Sequence, residues 1–385
     1  MCIIELIRSF TCEKTDDIAL YKMVGNVEKM LFSLLRIAIG TEEACAGSLN
    51  IEGASWRAVY NLARKQGVLA IALDGLVKLF EQDREFAKSF PQPLKLQWIN
   101  ATCNIEQRYE QQREVCVELA EEWAENGIKT LCMKGFAFSA YYPQPNHREC
   151  GDFDCYLYDN YAKGNSIARE LGARVDEEMY KHSEIIYRKV MVENHRFIVA
   201  VRGGKKMKNL HKLLDNIART EERKPLFDTK IEMPSPMFNA LFMNHHSLTH
   251  FLSEVVRLRH VLDWALFIAK EQEHLDWRRF YELCEEYDMR AFVDCMTAIA
   301  VQIFGIQITN PLIVAESPHA TCVLGTIIND DNTIFSQNVG PWRTRVMVVK
   351  NMFASRWKYE AFSKQGIFTT LVSLVWGFLT HPEED

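Results

Sequence analysis

The chain has 385 residues, 48% apolar and 25% charged, which excludes a largely disordered protein and leaves room for two or three domains with a sizeable core. Its 45 basic and 51 acidic residues sum to −6, so no global basic excess points to nucleic acid, and the local run 202–212 reads as a solvated charged face. Eleven cysteines without CxxC pairs or regular spacing exclude a zinc knuckle and argue against a disulfide framework.

Met1 to Arg8 carries an acid inside a short apolar run and lacks a basic leader, so it reads as a helix or disordered lead-in and not as a signal peptide. The expectation is a reduced, cytoplasmic compartment. Ala19 to Ile39 has apolar residues at helical spacing, with Gly40 as a stop. Ser55 is placed to cap a helix from Trp56 to Gln66, and Val68 to Phe80 repeats the period. Pro91 and Pro93 break the pattern before a long charged amphipathic helix from Leu94 to Asn126, ended by Gly127.

The middle of the chain changes character. Ile128 to Met133 and Phe153 to Tyr158 are short apolar runs, and Glu184 to Arg188 and Lys189 to Val201 read as strands. Asn160 to Leu171 reads as a helix ended by Gly172, and 202–205 as a turn. From Pro236 the helical period returns over Met237 to Leu252, Glu254 to Lys270, Trp277 to Tyr287 and Ala291 to Phe304. A polar stretch near 329–332 precedes further helix from Arg343 onward. Ile367 to Leu379 is uncharged but shorter than the roughly 20 residues of a membrane span, so it reads as a packed helix or partner-binding face. The expected plan has three segments: helical 1–126, a small mixed α/β core 127–235, and helical 236–385.

Chemistry concentrates where Lys134-Gly135 ends one apolar run and Gly151-Asp152-Phe153-Asp154 opens another. Side chains two apart on a strand share a face, so Asp152 and Asp154 present their carboxylates together, as hard oxygen ligands for Mg²⁺ or Mn²⁺. A third carboxylate is expected from a nearby strand. Glu193, which shares a face with His195, is the first choice and Glu184 the rival. His246 and His250 lie one helical turn apart beside His245, but no acidic ligand is fixed nearby, so helix packing is the expected role. His182 is left unplaced. Arg259 and Asp263 are four apart and are expected to pair across one turn, docking the helical region onto the core with Arg257, Trp264, Phe267 and Trp277 in the same interface.

The string LCMKGFAFSAYYPQPNHRECGDFDCYLYD (Leu131 to Asp159) resembles the uncharacterised bacterial nucleotidyltransferases of the DNA polymerase β-like superfamily. VENHRFI (Val192 to Ile198) is similar to that family's acidic-x-histidine strand, and RLRHVLDWALFIAKEQEHLDW (Arg257 to Trp277) to its helical element with a following Asp-Trp pair. The likeness covers about residues 105–290.

The resemblance implies an α+β fold, with a polymerase β-like nucleotidyltransferase core of small mixed sheet and helices flanked by helical regions. It implies a metal set of Asp152, Asp154 and Glu193, which are also the catalytic residues. It further implies nucleotide contacts from Lys134, Gly135, Arg148, Gly151 and His195. The wider superfamily has Gly-Ser at the turn where Phe136 stands here, so a phosphate-binding hydroxyl falls to Ser139 or to a backbone N–H. The implied activity transfers a nucleoside monophosphate from an NTP to an acceptor, which is a small molecule, protein or RNA, and releases pyrophosphate. A catalytically degenerate nucleotide- or protein-binding module is the alternative, and a phosphohydrolase using the same carboxylates has no dedicated motif. Convergence of the three carboxylates in a cleft favours the enzyme; a cleft filled by Phe136 favours the module.

Overall fold

Helical periodicity is realised before and after a central sheet in the computed structural model, which describes residues 20, 24–45, 49, 54–253, 256–329 and 355–363. Before the sheet come α1 (Asn26–Ile39), α2 (Trp56–Lys65), α3 (Leu69–Gln82), α4 (Arg84–Ser89) and α5 (Gln92–Glu125). Gly40 ends α1 in the left-handed conformation, as its position suggests. Ser55 precedes α2 but makes no side-chain capping hydrogen bond. α1 and α3 approach closely at Gly75, where a Cβ would stand 2.0 Å from the Leu34 carbonyl oxygen. α5, with its 34 residues, is about 51 Å long.

β1 (Thr130–Cys132) and a short helix α6 (Phe136–Ser139) lead to β2 (Phe153–Tyr156). They are followed by α7 (Tyr161–Glu170), β3 (Arg174–Asp176), β4 (His182–Tyr187), β5 (Val190–His195), α8 (Lys205–Thr220), β6 (Lys224–Pro225) and β7 (Ile231–Met233). The seven strands form one sheet in the order β3-β4-β5-β2-β1-β7-β6. β2 pairs parallel with β5 and β1 parallel with β7, while the other neighbours are antiparallel. The chain is thus α+β with a small mixed sheet flanked by helices, as the sequence indicates.

After the sheet come α9 (Pro236–Ser253), α10 (Leu258–Glu271), α11 (Trp277–Glu286), α12 (Arg290–Phe304), α13 (Ala320–Asn329) and α14 (Arg356–Phe362). The expected single helix over 254–270 therefore starts later, at Leu258 after Arg257. α8 was read only as a charged run and turn, yet it buries Leu210, Leu214 and Ile217 along one face. Met1 to Arg8, Ile367 to Leu379 and most of the helix expected from Arg343 lie outside the described residues, α14 excepted. No helix among the described residues is long and apolar enough to cross a membrane.

Two apolar clusters flank the sheet. The larger joins α1–α3 and the first half of α5 (Leu94, Trp98, Ile105) to α9–α13, and receives Leu131 and Tyr156 from the sheet. The smaller packs Cys116, Leu119 and Trp123 of α5 with Ala168 of α7 against Phe153, Cys155 and Val192. α5 contributes to both. A buried hydrogen-bonded trio fixes β4 and β5 on α7: Ser183 Oγ and Asn194 Nδ2 donate to Asn165 Oδ1 at 2.8 and 2.7 Å.

Candidate active site

Strand alternation decides which side chains meet. Phe153 and Cys155 point from β2 into the smaller core, so Asp154 and Tyr156 face the other side. The parallel register sets Asp154 beside Glu193 and Tyr156 beside His195. Asp152, in the loop just before β2, completes the set: one oxygen each from Asp152, Asp154 and Glu193 lie within 4.8 Å of one another. Glu184 pairs with Glu193 from β4, on the side of β5 away from β2. Two strand spacings, about 10 Å, therefore separate its strand from β2, and the rivalry resolves to Glu193.

A lysine and a histidine stand against these carboxylates. Lys134 Nζ is 2.9 Å from Asp154 Oδ1 and 3.6 Å from Asp152 Oδ2. His195 Nε2 is 3.0 Å from Asp154 Oδ1 and 3.2 Å from Glu193 Oε2, so His195, only 1% exposed, bridges carboxylates beneath the cleft surface. Burial opposes the charge on Asp154, but Lys134 and the His195 hydrogen bond outweigh it and hold the carboxyl well below the usual range. Glu193 shifts the other way, pushed up to about 7 by burial and by the neighbouring Asp154 and Asp152. Two adjacent carboxylates thus have opposite proton affinities, a division common at acid–base sites.

The Lys-Gly turn brings backbone close to the acids. Gly135 has φ +49, and a Cβ there would lie 3.5 Å from the Asp152 carbonyl oxygen. Phe136 points away from the cleft and packs on Tyr109, Phe153 and Phe227 in the smaller core. Ser139 also lies in the interior: its Oγ donates to the Phe136 carbonyl at 2.6 Å and sits 2.8 Å from the Tyr109 hydroxyl. The structure therefore does not bring the expected substitute hydroxyl to the site, because one α6 face turns both residues inward.

Three anchors hold the loop that delivers the acids. Gln112 Nε2 of α5 donates to the Gly151 carbonyl at 2.6 Å, leaving Gly151 on the cleft wall. His147 sits between Asp74 of α3 and Glu106 of α5. Arg148 grips Asp263 of α10 bidentately, Nε to Oδ1 at 2.9 Å and Nη2 to Oδ2 at 2.8 Å, while Tyr142 donates its hydroxyl to Oδ1 at 2.7 Å. The expected Arg259–Asp263 pair is thus replaced by Arg148–Asp263. Arg259 instead donates from Nη1 to the Glu149 carbonyl at 2.6 Å. Arg148 lines the cleft but its fork is committed to α10.

The cleft is about 480 Å³ in volume, and α9 and α10 form its other wall. Met243, His246, Ser247 and His250 come from α9; Arg257, Arg259 and His260 come from the start of α10; Lys181 and His182 come from the edge of β4. Among the described residues, no carboxylate forms an ion pair with Lys181, Arg257 or Arg259. Burial, then the adjacent Arg148, pulls the Arg259 guanidinium below its ordinary value, and its Nε is buried without a partner. Burial drives the His260 imidazole down to about 3 and His182 to about 4, so both are neutral. His246 and His250 stack edge to face at 4.3 Å, and neither belongs to a metal-capable cluster among the described residues.

The acidic wall fits a hard divalent ion. Its donors are carboxylate oxygens, and Asp154 Oδ2 is buried with no hydrogen-bond partner. Glu193 also belongs to a second metal-capable group with His182 and His195. Sequence reasoning missed Lys181, because an isolated lysine at a strand edge carries no pattern, and it left His182 unplaced.

A mixed sheet with an Asp-x-Asp pair, a third carboxylate on the parallel neighbour and a cationic facing wall defines a core of nucleotidyltransferase type. Residues 52–305, more than half of the chain, match the family described as an uncharacterised nucleotidyltransferase, and the chain belongs to that family. No curated protein and no solved structure matches it.

Proposed function

We propose that the protein transfers a nucleoside monophosphate from an NTP to a hydroxyl-bearing acceptor and releases pyrophosphate. The observation that carries this is the meeting of Asp152, Asp154 and Glu193 within 4.8 Å in a cleft whose opposite wall is cationic. Asp152, Asp154 and Glu193 would hold Mg²⁺ or Mn²⁺, which supplies charge neutralisation at the phosphates. Lys181, Arg257 and Arg259 attract the phosphate oxygens, the arginines with planar forks suited to them. Gly135 lets the backbone approach the same groups. Glu193, the carboxylate on the neighbouring strand, would help deprotonate or orient the acceptor hydroxyl.

The acceptor is a small molecule, a protein or RNA. No disulfide joins two cysteines among the described residues, in keeping with a reducing compartment such as the cytoplasm.

A second reading, a nucleotide-binding module without catalysis, draws on the engagement of Asp154 Oδ1 by both Lys134 and His195. One experiment separates the two. The protein is incubated with Mg²⁺ or Mn²⁺ and α-labelled NTPs beside a D152N/D154N variant. Pyrophosphate release and label transfer by the native protein alone support catalysis. Saturable NTP binding with equal, background turnover by both proteins establishes the module.

A further inference from the structure

Of the two metal-capable groups among the described residues, one is all carboxylate and the other contains two imidazoles. The second consists of His182, Glu193 and His195, one donor atom from each lying within 4.8 Å of the other two. The sheet puts them there. His182 and His195 are direct partners in the antiparallel register of β4 and β5, and Glu193 occupies the same face of β5 two residues before His195. The imidazole centroids are 5.1 Å apart. Both strands are fixed on α7 through Ser183, Asn194 and Asn165, which leaves the three donors little freedom to drift. His182 and Glu193 line the open cleft, so an ion entering from solvent reaches them and meets His195 at the floor.

The hydrogen bonds of His195 call for a positive centre on Nε2. Its Nδ1 lies 3.3 Å from the Phe197 carbonyl oxygen, which can only accept, so Nδ1 carries the proton of the neutral ring. Nε2 then turns its lone pair toward two further acceptors, Asp154 Oδ1 at 3.0 Å and Glu193 Oε2 at 3.2 Å. Either a second proton or a metal ion on Nε2 resolves that conflict. His182 discriminates between them. It is 8% exposed, yet its Nε2 stands 3.6 Å from Glu193 Oε1, beyond hydrogen-bond reach, and its Nδ1 is buried without a partner. A proton on His195 leaves that second imidazole unsatisfied, whereas a single ion engages both rings. Ligands about 2.1 Å from a common ion stand roughly 3.0–3.4 Å apart, near the 3.2 and 3.6 Å that separate the Glu193 oxygens from the two nitrogens. The Phe197 carbonyl supplies the outer hydrogen bond that orients a metal-bound histidine.

We propose that His182, Glu193 and His195 bind a divalent transition-metal ion, Zn²⁺ being the ion that two histidines and a glutamate fit best. Imidazole nitrogen favours Zn²⁺ over Mg²⁺, which prefers oxygen donors. Three protein ligands leave a coordination position for water or a ligand atom on the cleft side. The site differs in donor chemistry from the carboxylate set but shares Glu193 with it. Its occupation therefore engages the carboxylate that the proposed reaction sets beside the acceptor hydroxyl.

The test is calorimetric titration of the metal-stripped full chain with Zn²⁺, without nucleotide, followed by zinc K-edge X-ray absorption of the 1:1 complex. The expected result is saturable 1:1 binding that equimolar Mg²⁺ does not displace, and a spectrum with imidazole scattering and no sulfur neighbour. H182Q weakens Zn²⁺ binding by at least about tenfold, no less than the loss of an outer partner of a ligand costs. D152N, outside the nitrogen set, binds Zn²⁺ as the native protein does. Absence of saturable binding overturns the proposal, as does native Zn²⁺ affinity in H182Q or displacement by equimolar Mg²⁺. Sulfur around the zinc overturns it by moving the ion to a cysteine, and a loss in D152N as large as in H182Q moves it to the carboxylate set. The X-ray spectrum of the native complex decides the matter even if H182Q fails to fold. None of these readouts requires NTP turnover, so the outcome is separate from that of the labelled-NTP experiment.

Discussion

Lys134 places its ammonium 2.9 Å from Asp154 Oδ1, across the gap between the end of β1 and the start of β2. Burial works against the Lys134 charge, but Asp154, Asp152 and Glu193 outweigh it and raise its proton affinity. In the absence of metal, this lysine supplies the positive charge that the carboxylates require.

The first prediction follows from that pairing. Asp154 is 1% exposed, and removing a partner from a buried ion pair leaves an uncompensated charge. K134M should lose about 3 kcal/mol of stability in EDTA, and Mg²⁺ should restore part of the loss by taking the lysine's place. Urea unfolding with and without Mg²⁺ measures both. A K134M protein as stable as the native one in EDTA would show that the pairing contributes nothing.

Phe136 gives the second. Because its ring lies in the smaller core, 1% exposed, a serine at this position should not create a phosphate ligand. F136S should cost about 3–5 kcal/mol through the cavity it leaves, with NTP affinity no better than that of the native protein. A tighter NTP complex in F136S, measured by titration, would contradict the side-chain placement.

The third concerns acid stability. Burial opposes the Asp263 charge, while Arg148 and its hydrogen bonds hold the carboxyl below the usual range. A depressed carboxylate contributes stability that is full above its unfolded value, about 3.9, and lost as pH falls through the lower folded value. D263N should therefore be about 3–5 kcal/mol less stable at pH 7, with the deficit shrinking below about pH 4. Unfolding curves at pH 7 and pH 3 check this; a pH-independent deficit would refute it.

The fourth tests the cationic wall. Arg257 is exposed at the start of α10 and lines the cleft. R257A should leave stability within about 0.5 kcal/mol of native and weaken NTP binding about tenfold, the loss of one charge-assisted phosphate contact. Equal NTP affinity in R257A would remove Arg257 from the site.

Local patterns made part of this legible. Asp154 and Glu193 stand on neighbouring short strands as the apolar runs suggest, whereas Asp152, expected two residues before Asp154 on the same strand face, lies in the loop before β2; α2, α3, α5, α7 and α9 followed from helical period. What escaped was set by contacts across the chain. Arg259 and Asp263 have the spacing of a helical pair, yet a bidentate fork 115 residues earlier has the better geometry for Asp263. Ser139 was the candidate to replace the hydroxyl missing at Phe136, but the direction of the four-residue helix α6 turns it inward. α8 was hidden because its basic residues outnumber the apolar ones that carry its buried stripe.

The same grip of Arg148 on Asp263 sets an order of events during synthesis. The loop that presents Gly151 and Asp152 is fastened by a residue 115 positions downstream. At about 5–20 residues per second, the ribosome needs roughly 6–23 s after making Arg148 before Asp263 exists. The acidic edge of the cleft therefore gains this anchor only after Asp263 has been made.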